Sequence, residues 1–281
     1  MVKQRRGLPL SFYIVAFALA LAIPAVAFAG AVTYRWVKAE QAHLEGTIDK
    51  LDDELVSSID RFLAGQIAML QALATSPAVD AGEMRHFDEQ ARALMGLQGI
   101  HIVMRDMTGQ QVINTRLPWG AALPKALLDA VRIVAQTKQP YVSDLIIGAV
   151  TRTPLVAINV PVVRSGAVRY VLNASVPPQA IAAVVEGAGI EAPYSASVVD
   201  RKGLIIARSE MSTDFLGKRH PAFGEVAGSR GTWSGVNPQQ VPVVGHYRQS
   251  ALSGWFVSVG VEKAALEAPL TRSPGGSAGS A

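Results

Sequence analysis

The chain has 281 residues, a net charge of +4 and no cysteine, and 49% of it is apolar. The length exceeds the ~150 residues that suggest one domain, and the apolar share supports a sizeable core. The missing cysteines exclude thiolate nucleophiles, zinc–thiolate centres and a disulfide-stapled fold. Basic residues are scattered except at Lys3, Arg5 and Arg6. They offer no basic face with interleaved aromatics, which argues against nucleic acid as a partner.

The first element is a run from 10 to 34 without a charged residue. A helix crosses a ~30 Å hydrocarbon core in about 20 residues, so the run is long enough to span a membrane. The three basic residues ahead of it place the N-terminus in the cytoplasm. Pro24 is tolerated in such a helix. The competing reading is a cleaved signal peptide, for which Ala25-Val26-Ala27 and Ala27-Phe28-Ala29 both offer small-x-small sites. The run exceeds the usual ~7–15-residue signal core and leads without a break into more helix, which favours an anchor. Either way, everything after about residue 35 is exported.

The next element is a helical stalk. Leu44, Ile48, Leu51, Leu55, Ile59 and Phe62 recur at spacings of three and four, and Ile67, Leu70 and Leu73 continue the stripe. Ser76-Pro77 ends it, because the residue before proline avoids helical angles. The membrane-proximal half of this seam, about 34–55, is expected to pair with a second copy as a homodimer. The distal half is expected to pack on its own domain.

The remainder reads as two similar modules. His101-Ile-Val-Met-Arg-Asp106 and Ser195-Ala-Ser-Val-Val-Asp200 are apolar strands. Each leads into an Asp-x-x-Gly turn, at Gly109 and Gly203, and then a second strand. Each module closes with two more strands, 154–163 and 168–176 in the first, 241–248 and 255–261 in the second. Helices are expected over 82–97, 124–137 and 178–186. A Gly-rich connection is expected over 211–235. The fold class is α+β: an N-terminal transmembrane helix and a long helical stalk carrying two tandem modules, each an antiparallel sheet with flanking helices. The expected divisions are 1–34 for the tip and anchor, 35–76 for the stalk, 77–185 for the membrane-distal module, 186–268 for the membrane-proximal module and 269–281 for a flexible tail. Trp255 is expected in the core of the second module, which is read as a structural relay.

This organisation resembles the double Cache (PAS-like) sensor family over roughly residues 10–268. The phrases that carry the resemblance are Val112-Ile-Asn-Thr-Arg-Leu-Pro118, Tyr141-Val-Ser-Asp-Leu145, Val156-Ala-Ile-Asn-Val-Pro161, Asp200-Arg-Lys-Gly-Leu-Ile-Ile-Ala-Arg208 and Ser253-Gly-Trp255. They are most similar to sensor regions of proteobacterial transmembrane histidine kinases. The same sensors also precede diguanylate cyclases and chemoreceptors. The resemblance implies a bacterial inner-membrane receptor with its sensor region in the periplasm. Such receptors normally cross the membrane again and continue into an output domain. The Gly- and Ser-rich end after Thr271 cannot do so, which leaves a truncated receptor, a fragment or a stand-alone sensor.

No catalytic constellation, metal motif or cofactor motif is present. The histidines, His43, His86, His101, His220 and His246, form no i, i+3 or i, i+4 pair. Gly231-Thr-Trp-Ser-Gly235 sets its serine one position late for a nucleophile elbow. The expected function is recognition of a small extracytoplasmic ligand. The alternative is a structural or protein-interaction module at the membrane surface with no small ligand.

The resemblance places a ligand in the first module, between the sheet and the segment joining the hairpin to the closing strands. Asn159 and Asn173 interrupt apolar strands, where a buried amide must find partners. Arg116 offers paired hydrogen bonds to a carboxylate. Trp119 and Tyr141 offer flat walls, and Asp144 a counter-charge for a ligand cation. The plain readings are an exposed Arg116, a turn-capping Asp144 and outward-facing asparagines. The fuller amino-acid-binding motif of the family is not matched, so an amino acid ligand is not implied.

Overall fold

The computed structural model describes residues 10–94, 99–126, 128–210 and 212–271; the expected cytoplasmic tip and most of the tail lie outside them. The chain divides into two compact units, 1–47 with 265–281, and 48–264.

The first helix, α1 (Leu10–Ala74), contributes to both units. Its stretch Phe17–Trp36 is long and apolar enough to cross a membrane, and Phe17, Ile23, Val26 and Phe28 are exposed there. In the 48–264 unit the stripe Ile48, Leu55, Ile59, Leu63 and Leu70 is buried at helical spacing. This uses up half of the expected pairing seam: Ile48 and Leu55 are buried within the single chain, and Leu51 is half-buried. Ser76 ends α1 and starts α2 (Pro77–Asp80), its hydroxyl accepting from the Ala78 amide at 3.3 Å. The helix α3 (Met84–Ala93) follows, shorter than expected; residues 95–97 of that expectation lie outside the described set.

The first sheet begins with the hairpin β1 (His101–Asp106) and β2 (Gln111–Asn114). Asp106 Oδ1 accepts from the amides of Thr108 and Gln110, and Gly109 supplies a φ of 83°. After α4 (Asp129–Thr137) come β3 (Tyr141–Val142), β4 (Ile146–Ile147), β5 (Pro154–Arg164) and β6 (Ala167–Val176). The order is β2-β1-β6-β5-β3, with β4 also paired to β5. The helix α4 begins five residues later than the expected start at 124. The Pro124 carbonyl accepts from the Gln111 amide and Lys125 bridges to Gln110, so this stretch lies along the hairpin.

The second sheet follows α5 (Pro178–Gly187) and repeats the plan. Its hairpin is β7 (Tyr194–Val199) and β8 (Ile205–Arg208). Then come α6 (Ser212–Phe215), a 3-10 turn at Pro221–Glu225, β9 (Arg230–Val236), β10 (Pro242–Gln249), β11 (Phe256–Glu262) and α7 (Lys263–Thr271). The order β8-β7-β11-β10-β9 matches that of the first sheet, with the last strand beside the opening hairpin.

The strand β9 forms at the end of the expected Gly-rich connection, 211–235. It holds because Trp233 is seated over glycines. A Cβ at Gly245 would come within 2.6 Å of the Val259 carbonyl oxygen and 2.8 Å of Trp233 Nε1. Trp233 and Tyr247, with Phe256 and Val226 against them, fill the cover of this sheet with apolar and aromatic side chains.

Candidate ligand cavity

A cavity of about 70 Å³ lies over the first sheet. Its floor follows from strand alternation. His101, Val103 and Arg105 share one face of β1, and all three line the cavity. Across the ladder Asn173 stands opposite Val103 and Ser175 opposite His101, on the same face. Ala157 stands opposite Ser175 on β5. The roof comes from Ala126 and Leu128 ahead of α4 and from residues 146–151, which are β4 and the turn after it. Gly148 keeps this roof tight. A Cβ there would meet Thr151 Oγ1 at 2.4 Å and Leu155 Cδ2 at 2.7 Å.

Arg116 lies on the rim, on the turn after β2. That turn is held from α3. Arg92 pairs with the buried Asp88 at 2.6 Å and donates to the carbonyls of Thr115 and Leu117. Asn114 Oδ1 accepts from the Arg116 amide at 3.0 Å, and its amide nitrogen donates to Gln111 Oε1 at 2.8 Å.

Two deeply buried groups face the cavity with unmet hydrogen bonds. Asn173 is 2% exposed, and its Oδ1 has no partner. Arg105 is 6% exposed, and its Nε has none. Burial pulls the Arg105 guanidinium down to about 10, which leaves it charged near neutral pH. His101 is half-buried with Nδ1 unpartnered; desolvation lowers its pKa first, and the charges of Arg116 and Arg92 lower it further.

The expected site residues separate into two groups. Arg116 and Asn173 line the cavity. Asn159 shares the sheet face but lies outside it, donating from Nδ2 to the carbonyls of Tyr141 and Ala157. Trp119 is exposed and does not line the cavity. Tyr141 and Asp144 belong to a junction with the second module. Arg201 Nε donates to Asp144 Oδ1 at 2.8 Å and Arg201 Nη2 to the Tyr141 hydroxyl at 2.8 Å, with the guanidinium 5.0 Å above the Tyr141 ring. Trp255 is fully buried in the same junction, its indole donating to the Ser143 carbonyl at 3.1 Å. Asp200 Oδ2 accepts from the Leu145 amide. Asp144 is thus paired from within the chain and lies outside the cavity. Sequence reasoning missed Arg105. Its signal was there, a basic residue in phase with His101 and Val103 directly after the apolar run Ile102-Val-Met104.

No protein-family profile matches the sequence. No curated protein matches it either. Solved structures do. The extracellular domain of a protein assigned as a histidine kinase, rpHK1S-Z16, is 15% identical with a TM-score of 0.61, covering 80% of this chain and 97% of its own. The ligand-binding domain of the Pseudomonas aeruginosa PAO1 amino acid chemoreceptor PctB, in complex with L-arginine, is 18% identical with a TM-score of 0.61, covering 83% and 95%. That of the Pseudomonas fluorescens chemoreceptor CtaA, with L-leucine, is 14% identical with a TM-score of 0.62, covering 82% and 99%. The chain therefore has the mixed α+β architecture of these extracellular sensor domains, an arrangement consistent with a double Cache sensor.

Proposed function

We propose that the chain is the sensor part of a bacterial signal receptor, anchored in the inner membrane by Phe17–Trp36, with the rest in the periplasm. The cavity over the first sheet takes a small extracytoplasmic ligand. The observation that carries this reading is the pair Arg105 and Asn173, buried against the cavity with hydrogen-bonding capacity unspent. Buried polar groups are normally satisfied, and the exceptions call for a partner. The solved neighbours in complex with amino acids support a small-molecule ligand of some kind.

The module carrying the cavity is the membrane-distal one, 77–185, and the module 186–268 relays the signal toward the membrane. The filled aromatic cover of the second sheet fits that role. Tyr141, Asp144, Arg201 and Trp255 make the two move together. Binding shifts such an assembly only when its two states differ in affinity for the ligand. Receptors of this kind carry their output elsewhere in the polypeptide or a partner, here a histidine kinase by resemblance. Pairing as a homodimer through α1 is part of the proposal, with Leu44 and Leu51 in the contact. The rival reading, an interaction module without a ligand, expects a first sheet packed with apolar side chains, and the polar cavity favours sensing.

The test is a thermal-unfolding screen of the full chain in detergent against a small-metabolite panel. A ligand at 100 times its Kd adds about 2.7 kcal/mol, which raises the midpoint by several degrees. A panel that shifts nothing, with 15N-detected binding also absent, would favour the interaction module.

A further inference from the structure

We infer that the ligand is a small carboxylate without an amino group, with two or three carbons, and that Arg105 is its buried anchor; this rests on the sensing role proposed for the cavity. Arg105 lies on β1 and lines the cavity, nine-tenths buried, and it makes no hydrogen bond or ion pair with any described residue. A buried cation is ordinarily paired, because the charge loses its hydration and gains nothing in return. The lining of the cavity supplies no counter-charge. It holds the guanidinium groups of Arg105 and Arg116 and the amides of Gln111, Asn114 and Asn173, but no aspartate or glutamate. What the site lacks is an anion, and the planar guanidinium fork matches a carboxylate through two parallel hydrogen bonds.

The same lining offers a primary ammonium no carboxylate, only neutral acceptors. A zwitterionic amino acid brings a cation that needs an anionic partner in a space of low dielectric. The nearest candidate that the sequence suggested, Asp144, is held by Arg201 outside the cavity. The rest of the lining adds the neutral polar side chains of His101, Thr151 and Ser175 and is otherwise apolar. Val103, Leu128, Ile146, Leu155 and Ala157 suit a short hydrocarbon body better than an inorganic oxyanion. Size sets the length. A water needs about 10–15 Å³, so about 70 Å³ takes a handful of non-hydrogen atoms. The free Oδ1 of Asn173 accepts a hydrogen bond, which fits a hydroxyl beside the carboxylate.

The experiment titrates the full chain in detergent with propionate, lactate, alanine and propionamide, four compounds of nearly equal size. Calorimetry and thermal unfolding are the readouts. Propionate and lactate bind with Kd below about 1 mM, and alanine and propionamide bind at least tenfold more weakly. Arg105→Gln lowers carboxylate affinity at least about tenfold, the worth of one charge-assisted hydrogen bond. It also raises the unfolding midpoint of the ligand-free protein, because it removes an unpaired buried charge. Equal or tighter binding of alanine or propionamide overturns the inference and leaves small-molecule sensing intact. So does carboxylate binding that Arg105→Gln leaves unchanged. Absence of binding by all four overturns the inference; absence throughout the wider metabolite panel overturns sensing as well. A midpoint lowered by both Arg105→Gln and Arg105→Lys shows that Arg105 is a structural group with a partner inside the fold, and this too overturns it.

Discussion

Replacing Asp52 by asparagine should make the protein more stable at pH 8 and leave it nearly unchanged at pH 4. Asp52 sits on α1 with 0% of its surface exposed, and neither carboxylate oxygen accepts a hydrogen bond. Arg248 Nε approaches Oδ2 at 3.4 Å but also faces Asp53 at 3.0 Å, and its Nη2 is spent on Asp49 at 2.8 Å. Burial therefore dominates, and it raises the Asp52 pKa from 3.8 to about 7, against the pull of Arg248 and with the help of Asp49 and Asp53. In the unfolded chain the group ionises near 4. Between those values the folded protein holds a proton that the unfolded chain has released, so stability falls as pH rises. Three pKa units correspond to about 4 kcal/mol at 1.36 kcal/mol each. The assay is denaturant unfolding of parent and Asp52→Asn from pH 4 to 8. The quantity to read is their difference, because His101 and His220 add a slope of the opposite sign below about 6.5. The difference should grow by several kcal/mol across the range in favour of the variant. A difference that is flat with pH, or that grows in favour of the parent, would refute the assignment of a buried, largely unpaired carboxyl.

Trp255→Ala should cost about 3–5 kcal/mol, as a large buried truncation, while Trp255→Phe should cost less and isolates the bond to the Ser143 carbonyl; chemical denaturation measures both. Arg201→Met should destabilise by about 1–3 kcal/mol, because it removes the closest partner of the half-buried Asp144, leaving it Lys202 at 4.0 Å, and removes the tie to Tyr141; an effect below about 0.5 kcal/mol, on the order of a surface substitution, would mean the junction is loose. His220 is buried and held down at about 4, so it resists protonation in the fold, and His220→Gln should reduce the loss of stability on acidification from about pH 6.5 to 4. Leu44→Glu should weaken cross-linking between copies in membranes without lowering stability, since it spares Ile48 and Leu55, which the single chain already buries.

Much of the fold was legible because its signals are local. The two hairpins follow from Asp-x-x-Gly turns between apolar strands, and Asp106 and Asp200 cap those turns as the sequence suggests. The closing strands followed from long β-branched runs. The strand β9 was not legible, since Arg230-Gly-Thr-Trp-Ser-Gly-Val236 has two glycines and buries only Trp233 among its seven residues. Its stability comes from Gly245 and Gly260 on other strands. The stalk stripe was legible as helix, but not which turns face the chain itself. Asp52 lies in phase with Ile48, Leu55 and Ile59 and was invisible to a pattern built on apolar residues. The lining of the candidate cavity was half legible. Arg116 and Asn173 line the cavity, whereas Tyr141 and Asp144 turn to Arg201, a partner from another module that no local pattern announces. Arg105 escaped notice because a polar residue one step before a turn reads as a strand end.

The most direct test of the cavity as the ligand site is hydrogen–deuterium exchange of the full chain, with and without the compound giving the largest thermal shift. The account predicts slowed exchange in β1 and in the roof segment 146–151, and little change in β9 and the 3-10 turn at Pro221–Glu225. Protection centred on the second sheet, or on α1 alone, would contradict it.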